Sequence, residues 1–193
     1  MGRYLRYSRW GLKEMRIAVD ICNTVANVNR ELAKRFTGFS LNLYPSPIIT
    51  AGFFGSPEGL QLLNEAAPIP YAALVLQWFT RAGHEVVYVT GRPVLAADAT
   101  REWLTVNGFP GGALIFLPRG YKGLFALNYG IDWFFEDDPL EAQSLQGVVS
   151  RVFLKDWPYN RHVRGRGITR FKGWREILPC AVVGKKAGGG AFA

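Results

Sequence analysis

Cysteine, histidine and long apolar runs are scarce in this sequence, and each scarcity excludes a class of protein. The chain of 193 residues has two cysteines, Cys22 and Cys180, and two histidines. Two cysteines are too few for a disulfide framework or a cysteine-based metal site, and neither histidine has a partner at a metal-ligand spacing. No apolar run approaches the roughly 18 residues that a membrane helix needs, and the basic N-terminus lacks the apolar stretch of a signal peptide. We therefore expect a cytoplasmic globular protein.

Acidic residues are also in the minority, and the charge is distributed unevenly. The formal net charge is +8, from 23 basic and 15 acidic side chains. Residues 1–16 carry a balance of +4 and residues 151–186 a balance of +8, whereas residues 17–150 carry −4. An acidic centre with basic ends differs from a uniformly basic nucleic-acid-binding protein. The hydrophobic content of 49% is too high for a disordered chain.

Strand-like apolar runs alternate with amphipathic, helix-like stretches through most of the chain. The predicted strands cover residues 16–20, 85–89, 113–117, 131–135 and 152–154. The predicted helices cover residues 25–36, 71–82, 96–107, 122–128 and 140–145. This alternation favours an α/β fold, a Rossmann-like doubly wound parallel sheet that is covered on both faces by helices.

The segments outside this pattern suggest how the chain is organised. Residues 1–14 predict a basic N-terminal arm, residues 15–180 the α/β core, and residues 181–193 a flexible tail. Residues 37–70 are irregular but too apolar to be left in water, so we expect a small helical cap insertion there. Met15 directly precedes the first strand, and an alternative is that the protein starts at this methionine.

Polar side chains follow several of the predicted strands, where ligands gather in a doubly wound sheet. Asp20 ends the first strand, Thr90 the second, and the acidic run 136–138 the fourth, while Lys122 lies five residues after the third. Carboxylates, a hydroxyl and an ammonium would then converge on one edge of the sheet. That combination suits Mg²⁺ between carboxylates, with the hydroxyl and the lysine holding a phosphate.

In these residues the chain resembles the haloacid dehalogenase-like (HAD-like) phosphohydrolases, whose four motifs appear in order. They are the segment Asp20-Ile21-Cys22-Asn23-Thr24, then Thr90, Lys122 and the acidic run 136–138. The resemblance covers about residues 15–177. Within the superfamily the chain is most similar to the 5′(3′)-deoxyribonucleotidase-type branch, on the basis of Pro70-Tyr71, Thr90-Gly91-Arg92 and the segments 153–160 and 174–177.

The resemblance implies a role for each motif residue. Asp20 would attack the phosphorus and form an aspartyl-phosphate. Thr90 and Lys122 would bind the phosphoryl oxygens and oppose the charge that develops in the transition state. A small phosphorylated substrate, most typically a nucleotide, would contact the residues near these groups: Asn23, Thr24, Gly91 and Arg92.

The resemblance also implies a metal site for Mg²⁺. Asp20, Asp137 and Asp138 would supply carboxylates to the ion, and Cys22 its backbone carbonyl. The sequence leaves open whether Asp138 or Glu136 holds a metal-bound water or orients the lysine of the third motif.

Cys22 departs from the family pattern, because most of these phosphatases have an aspartate two residues after the nucleophile. A neutral thiol is a poor proton donor to an alkoxide and a poor base for water. We therefore expect slow turnover of ordinary alkyl phosphates. Two alternatives stay open: a catalytically weak relative that binds nucleic acid or a nucleotide through its basic ends, including residues 161–175, and a scaffold in which a phosphorylated Asp20 hydrolyses slowly.

Overall fold

The computed structural model describes residues 14–50 and 52–178. The predicted tail, and the predicted arm apart from Glu14, lie outside the described residues, as does Cys180. No helix of the described segments is long and apolar enough to cross a bilayer.

Six parallel strands form a single sheet in the order β3-β2-β1-β4-β5-β6. The strands are β1 (Arg16–Val19), β2 (Glu85–Thr90), β3 (Ala113–Phe116), β4 (Trp133–Glu136), β5 (Arg151–Lys155) and β6 (Ile168–Phe171). The chain first adds strands outward from β1 to β3 at one edge of the sheet. It then crosses back to β4, on the other side of β1, so the direction of winding reverses between β1 and β4. Ligands of doubly wound sheets bind at that reversal, outside the carboxyl ends of the strands. Thus the predicted α/β, Rossmann-like class is confirmed.

Within the described segments, six α-helices accompany the strands. They are α1 (Val28–Arg35), α2 (Pro57–Glu65), α3 (Ala72–Arg81), α4 (Ala97–Val106), α5 (Lys122–Tyr129) and α6 (Pro139–Ser144). Side chains cap three of the N-termini, since Asn27, Ser56 and Asp138 accept backbone N–H groups of the first turns of α1, α2 and α6. Gly130 ends α5 with a φ of 63°, a left-handed conformation that glycine adopts without strain.

The structure corrects three details of the predicted elements. Strand β6 was not predicted, because its Thr169 and Arg170 lie in a stretch rich in arginine and glycine that is typical of a solvated loop. The buried strand expected at 113–117 is a half-buried edge strand, β3. Helix α1 begins at Val28 and ends at Arg35, short of Gly38, because the backbone of Phe36 is already extended.

The inserted segment covers one side of the carboxyl edge of the sheet. Helix α2 packs on α1 and α4, and Leu62 and Leu63 of α2 are completely or almost completely buried. The chain between α1 and α2 contributes Phe39, Tyr44 and Phe54 to the wall of a cavity that is also lined by Asp20 and other residues that follow the strands. This segment thus shapes the space next to the predicted catalytic groups.

Stacked aromatic rings fill the core beneath β4 and β5. The ring of Phe135 lies parallel to that of Phe153 with centroids 4.6 Å apart, and 4.7 Å from that of Trp174. All three side chains are completely buried. Phe135 directly precedes the acidic run at the end of β4, so this stack fixes the strand that presents the acidic residues.

Replacing Phe135 by alanine should lower the free energy of unfolding by about 3–5 kcal/mol, because the deletion leaves a cavity between two rings. Urea unfolding followed by circular dichroism measures the loss. Leu127→Ala on α5 is the matched control, since Leu127 is 59% exposed, and it should change the free energy by less than about 0.5 kcal/mol. Equal losses in the two variants would contradict the role given to the stack.

Candidate active site

A buried lysine joins two acidic residues at the reversal of the sheet. The Nζ atom of Lys122, at the start of α5, lies 2.6 Å from Oδ1 of Asp20 and 2.8 Å from Oε2 of Glu136. All three side chains are buried. Burial disfavours the charged lysine, but the two carboxylates outweigh it and raise the pKa of Lys122 above its usual value. The lysine therefore stays an ammonium at any physiological pH.

Glu136 fixes both the lysine and the backbone of the acidic run. Its Oε1 atom accepts the N–H groups of Asp137 and Asp138, each at 3.0 Å, while Oε2 accepts Lys122. Burial raises the pKa of Glu136 to about 8, against the opposing effect of the Lys122 charge. Both oxygens of Glu136 have partners within the protein, so this residue orients the lysine of the third motif.

Asp137 is held by residues from two other segments of the chain. Its Oδ1 accepts the hydroxyl of Thr24 at 3.1 Å, its Oδ2 accepts the phenol of Tyr159, and its backbone carbonyl accepts Nδ2 of Asn160 at 2.8 Å. Burial, together with the charges of Asp20 and other nearby acidic residues, raises the pKa of Asp137 well above its usual value. No cation described here pairs with this carboxylate, so its charge is incompletely balanced.

Three carboxylates come close enough to share a metal ion. Oxygen atoms of Asp20, Glu136 and Asp137 all lie within 4.8 Å of one another. One ammonium, that of Lys122, faces these three acidic groups, and uncompensated buried charge is strongly unfavourable. The deficit of positive charge and the all-oxygen donor set fit a hard divalent cation. The donor set present therefore suits a divalent metal centre.

Asp138 turns away from this cluster. Its Oδ1 accepts Nη2 of Arg119 at 2.9 Å and the N–H of Leu140 at 2.8 Å, and so caps α6. The guanidinium of Arg119 also lies 5.5 Å from the ring centroid of Tyr44, which stacks on Tyr159 at 4.7 Å. Arg119 and the two tyrosines are site residues that the sequence analysis missed, because nothing in their spacing connects the inserted segment with β3 and β5.

The loop that follows β1 is braced from the opposite end of the chain. Asn23 has a φ of 60°, and its side chain accepts the N–H of Asn29 at 2.8 Å. The backbone carbonyl of Asn23 accepts the indole N–H of Trp157 at 2.9 Å, and that of Thr24 accepts the indole N–H of Trp174 at 2.8 Å. Two tryptophans therefore fix the loop that carries Asp20.

The second motif places an unusual arginine next to Cys22. The Oγ1 atom of Thr90 accepts the backbone N–H of Arg92 at 3.2 Å. The buried guanidinium of Arg92 donates through Nε to Sγ of Cys22 at 3.4 Å and through Nη1 to Thr100 at 3.2 Å. Its Nη2 atom has no hydrogen-bond partner among the described residues. Burial raises the pKa of the Cys22 thiol, against the effect of Arg92, so Cys22 is a neutral thiol.

A cavity of about 280 Å³ joins these groups. It is lined by most of the residues singled out in the sequence: Asp20, Cys22, Asn23, Gly91, Arg92, Lys122, Asp137 and Asp138. Thr24 and Thr90 are buried beside it and do not line it. The remaining wall is mainly apolar and comes largely from α1 and the inserted segment, with Leu32, Phe39, Ile49 and Phe54. The lining thus combines a group of charged residues with a mainly apolar surface.

The basic stretch 161–175 is partly tied into the protein. Nη1 of Arg170 lies 2.9 Å from Oδ1 of Asp156 and 2.7 Å from Oδ1 of Asn160. Arg164 donates to the backbone carbonyls of Arg161 and Val163. These two arginines stabilise the loop between β5 and β6. Binding of nucleic acid through the basic ends stays a prediction.

Two curated proteins are similar to this chain in sequence. A protein of Bacillus cereus named "Putative nucleotidase" is 31% identical over 135 residues, which are 64% of this chain and 68% of that protein. A similarly named protein of Oceanobacillus iheyensis is 28% identical over 99 residues, 50% of this chain and 52% of that protein. No family model matches the chain.

Solved structures share the fold at low sequence identity. The D,D-heptose 1,7-bisphosphate phosphatase of B. bronchiseptica, crystallised with magnesium and phosphate, has a TM-score of 0.56 and 13% identity over 88% of this chain and 99% of its own. A haloacid dehalogenase-like hydrolase of Streptococcus pneumoniae has a TM-score of 0.58 and 9% identity over 86% of this chain and 98% of its own.

The chain has the fold of the haloacid dehalogenase-like hydrolases. It belongs to the same family as the Bacillus cereus protein. The resemblance stated from the four motifs is therefore confirmed.

Replacing Lys122 by methionine should lower the free energy of unfolding by about 3–5 kcal/mol at neutral pH in metal-free buffer, because it leaves buried carboxylates without their partner. Thermal and urea unfolding measure the effect. Lys34→Met is the matched control, since Lys34 pairs with Glu31 at 2.8 Å but is 56% exposed, and it should cost at most about 1 kcal/mol. A loss in Lys122→Met no larger than that of the control would argue against the charge balance described above.

Proposed function

We propose that this protein is a Mg²⁺-dependent phosphatase that hydrolyses nucleoside monophosphates through an aspartyl-phosphate on Asp20. The observation that carries the proposal is the contact of Lys122 with Asp20, which line the cavity together with Asp137. A carboxylate next to a permanent ammonium has both the nucleophile and the anion-binding group that phosphoryl transfer needs.

In the first step a carboxylate oxygen of Asp20 attacks the phosphorus, and the bond to the leaving-group oxygen breaks. Lys122 binds a phosphoryl oxygen and offsets the charge that develops there. Thr90, Gly91 and Arg92 take the substrate-binding role: Gly91 and Arg92 line the cavity, and Thr90 fixes the backbone of this turn. In the second step water attacks the phosphorus of the aspartyl-phosphate and releases phosphate and Asp20.

Asp20, Asp137 and the backbone carbonyl of Cys22 would hold the magnesium ion. When bound, the ion neutralises phosphate charge and orients the phosphoryl group. Glu136 positions Lys122 and fixes the backbone of the acidic run. The place of Asp138 in the metal site stays a prediction, and in the structure its carboxylate positions Arg119.

The apolar lining of the cavity suits a nucleoside as the leaving group. Phe39, Ile49 and Phe54 offer a surface for a flat base, and Tyr44, which also lines the cavity, stacks on Tyr159. The name of the Bacillus cereus relative supports the same substrate class.

Cys22 limits the proton transfers of this reaction. Its thiol is neutral and donates poorly to a departing alkoxide, and Arg92 cannot lose a proton in its place. Phosphate esters whose leaving group departs without a proton should therefore be hydrolysed faster than nucleoside monophosphates.

Asp20→Asn should abolish hydrolysis of nitrophenyl phosphate, because an amide oxygen is a far weaker nucleophile. Phosphate release is measured with and without Mg²⁺ on this substrate and on a panel of nucleoside monophosphates. Asp98→Asn is the matched control, since the Asp98 side chain is fully exposed, and it should keep wild-type activity. Wild-type release that neither needs Mg²⁺ nor is lost in Asp20→Asn would refute the mechanism.

Cys22→Asp should raise kcat on nucleoside monophosphates by about 10- to 100-fold, at most the lower limit of the roughly 10²–10⁴-fold that general acid–base catalysis contributes. The neighbouring Arg92 stabilises the charged carboxylate and so keeps the gain below the full range. Cys22→Asn is the control for shape without proton transfer and should show no gain. The gain on nitrophenyl phosphate should be much smaller. An unchanged kcat in a folded Cys22→Asp protein would show that the thiol is not simply a missing acid and base.

A further inference from the structure

A second cavity, of about 490 Å³, lies where the ends of β5 and β6 meet the turn before α3. We call it the basic groove. Its lining consists of Asn27, Ile69, Pro70, Tyr71, Lys155, Trp157 and residues 172–176. None of these residues lines the catalytic cavity. The basic groove is therefore a separate space and has no place in the reaction described above.

Cations dominate the charge of the basic groove. Lys155, Lys172 and Arg175 line it together with one acidic residue, Glu176. The carboxylate of Glu176 is already occupied, since it accepts the backbone N–H groups of Lys172 and Gly173, each at 3.2 Å. Within residues 14–50 and 52–178, none of the three cations forms an ion pair. The groove thus holds an excess of positive charge without an anionic partner.

Lys155 is the most unusual of these cations, because it is only 7% exposed. Its ammonium has one weak acceptor, the backbone carbonyl of Asp156 at 3.4 Å, and lies 4.8 Å from the ring centroid of Trp157. A buried ammonium is costly unless it is paired, and its burial lowers the pKa of Lys155. In the register of the sheet Lys155 is opposite Phe171, and Lys172 is the next residue along the chain.

We propose that the basic groove binds a small dianion, a phosphate or dicarboxylate group of a metabolite. The three cations would surround the anion, and Lys155 would gain the counter-ion that it lacks. Tyr71 is 44% exposed at the rim, with the guanidinium of Arg175 4.9 Å from its ring centroid, and so presents a flat surface for the rest of the ligand.

Occupancy of the basic groove is coupled to the catalytic loop. Trp157 and Trp174 line the groove and donate their indole N–H groups to the carbonyls of Asn23 and Thr24, in the loop that carries Asp20. Nδ2 of Asn160 lies 2.8 Å from the backbone carbonyls of both Lys155 and Asp137. An anion that draws Lys155 toward itself therefore acts on the loop that carries Asp20 and on the backbone of Asp137. In this proposal the anion is an effector and not a substrate.

The test follows the indole N–H signals of Trp157 and Trp174 by NMR while sulfate replaces chloride at constant ionic strength. Sulfate serves as the dianion because it is not hydrolysed. We expect both signals to shift with a saturable midpoint, and the midpoint to rise about tenfold in Lys172→Ala/Arg175→Ala, which removes two exposed contacts to the anion. Arg30→Ala/Arg81→Ala removes two exposed cations elsewhere and should keep the wild-type midpoint.

Two outcomes would overturn the proposal: no saturable shift in the wild-type protein, or an equal midpoint in the groove variant and the wild type. The second would place the sulfate in the catalytic cavity. The groove variant should hydrolyse nitrophenyl phosphate at the wild-type rate in sulfate-free buffer, so this experiment and the assay of the proposed phosphatase can fail independently.

Discussion

The ammonium of Lys122 is the interaction on which the catalytic end of this protein depends. It lies between Asp20 and Glu136 in a buried site where acidic groups outnumber cations. Without it, Asp20 and the acidic end of β4 would repel each other strongly, because their mutual repulsion is little screened inside a protein. One side chain therefore balances the charge of the folded site and, in the proposed reaction, also binds the phosphoryl group.

The sheet brings these groups together, and the aromatic core holds them at fixed positions. Asp20 and Asp137 follow the two strands that flank the reversal of winding, β1 and β4. Phe135 precedes the acidic run and stacks on Trp174, whose indole N–H in turn binds the carbonyl of Thr24. The same ring packing thus supports both halves of the cluster, which explains how loops of irregular backbone keep a defined geometry.

The sequence predicted the parts of this arrangement that follow from strand order. The apolar runs predicted five strands. In a parallel sheet the carboxyl ends of the strands lie at one edge, so Asp20, Lys122 and Asp137 were expected to meet there. Strand β6 was missed because its stability comes from pairing with β5, not from its own composition. Arg119 and Tyr44 were missed for a related reason: their contacts join segments far apart in the chain, and no local spacing records them.

Cys22 and Arg92 show how the charge balance of the site constrains its chemistry. An aspartate in place of Cys22 would add a further carboxylate to a cluster in which Asp137 already lacks a balancing cation. With a neutral thiol there, the guanidinium of Arg92 keeps a free N–H group instead of pairing with an acid. In the proposed reaction this pair favours binding of a phosphate anion and disfavours proton transfer to its leaving group. Tight binding with slow turnover of poor leaving groups is the consequence that we expect from one residue beside the proposed nucleophile.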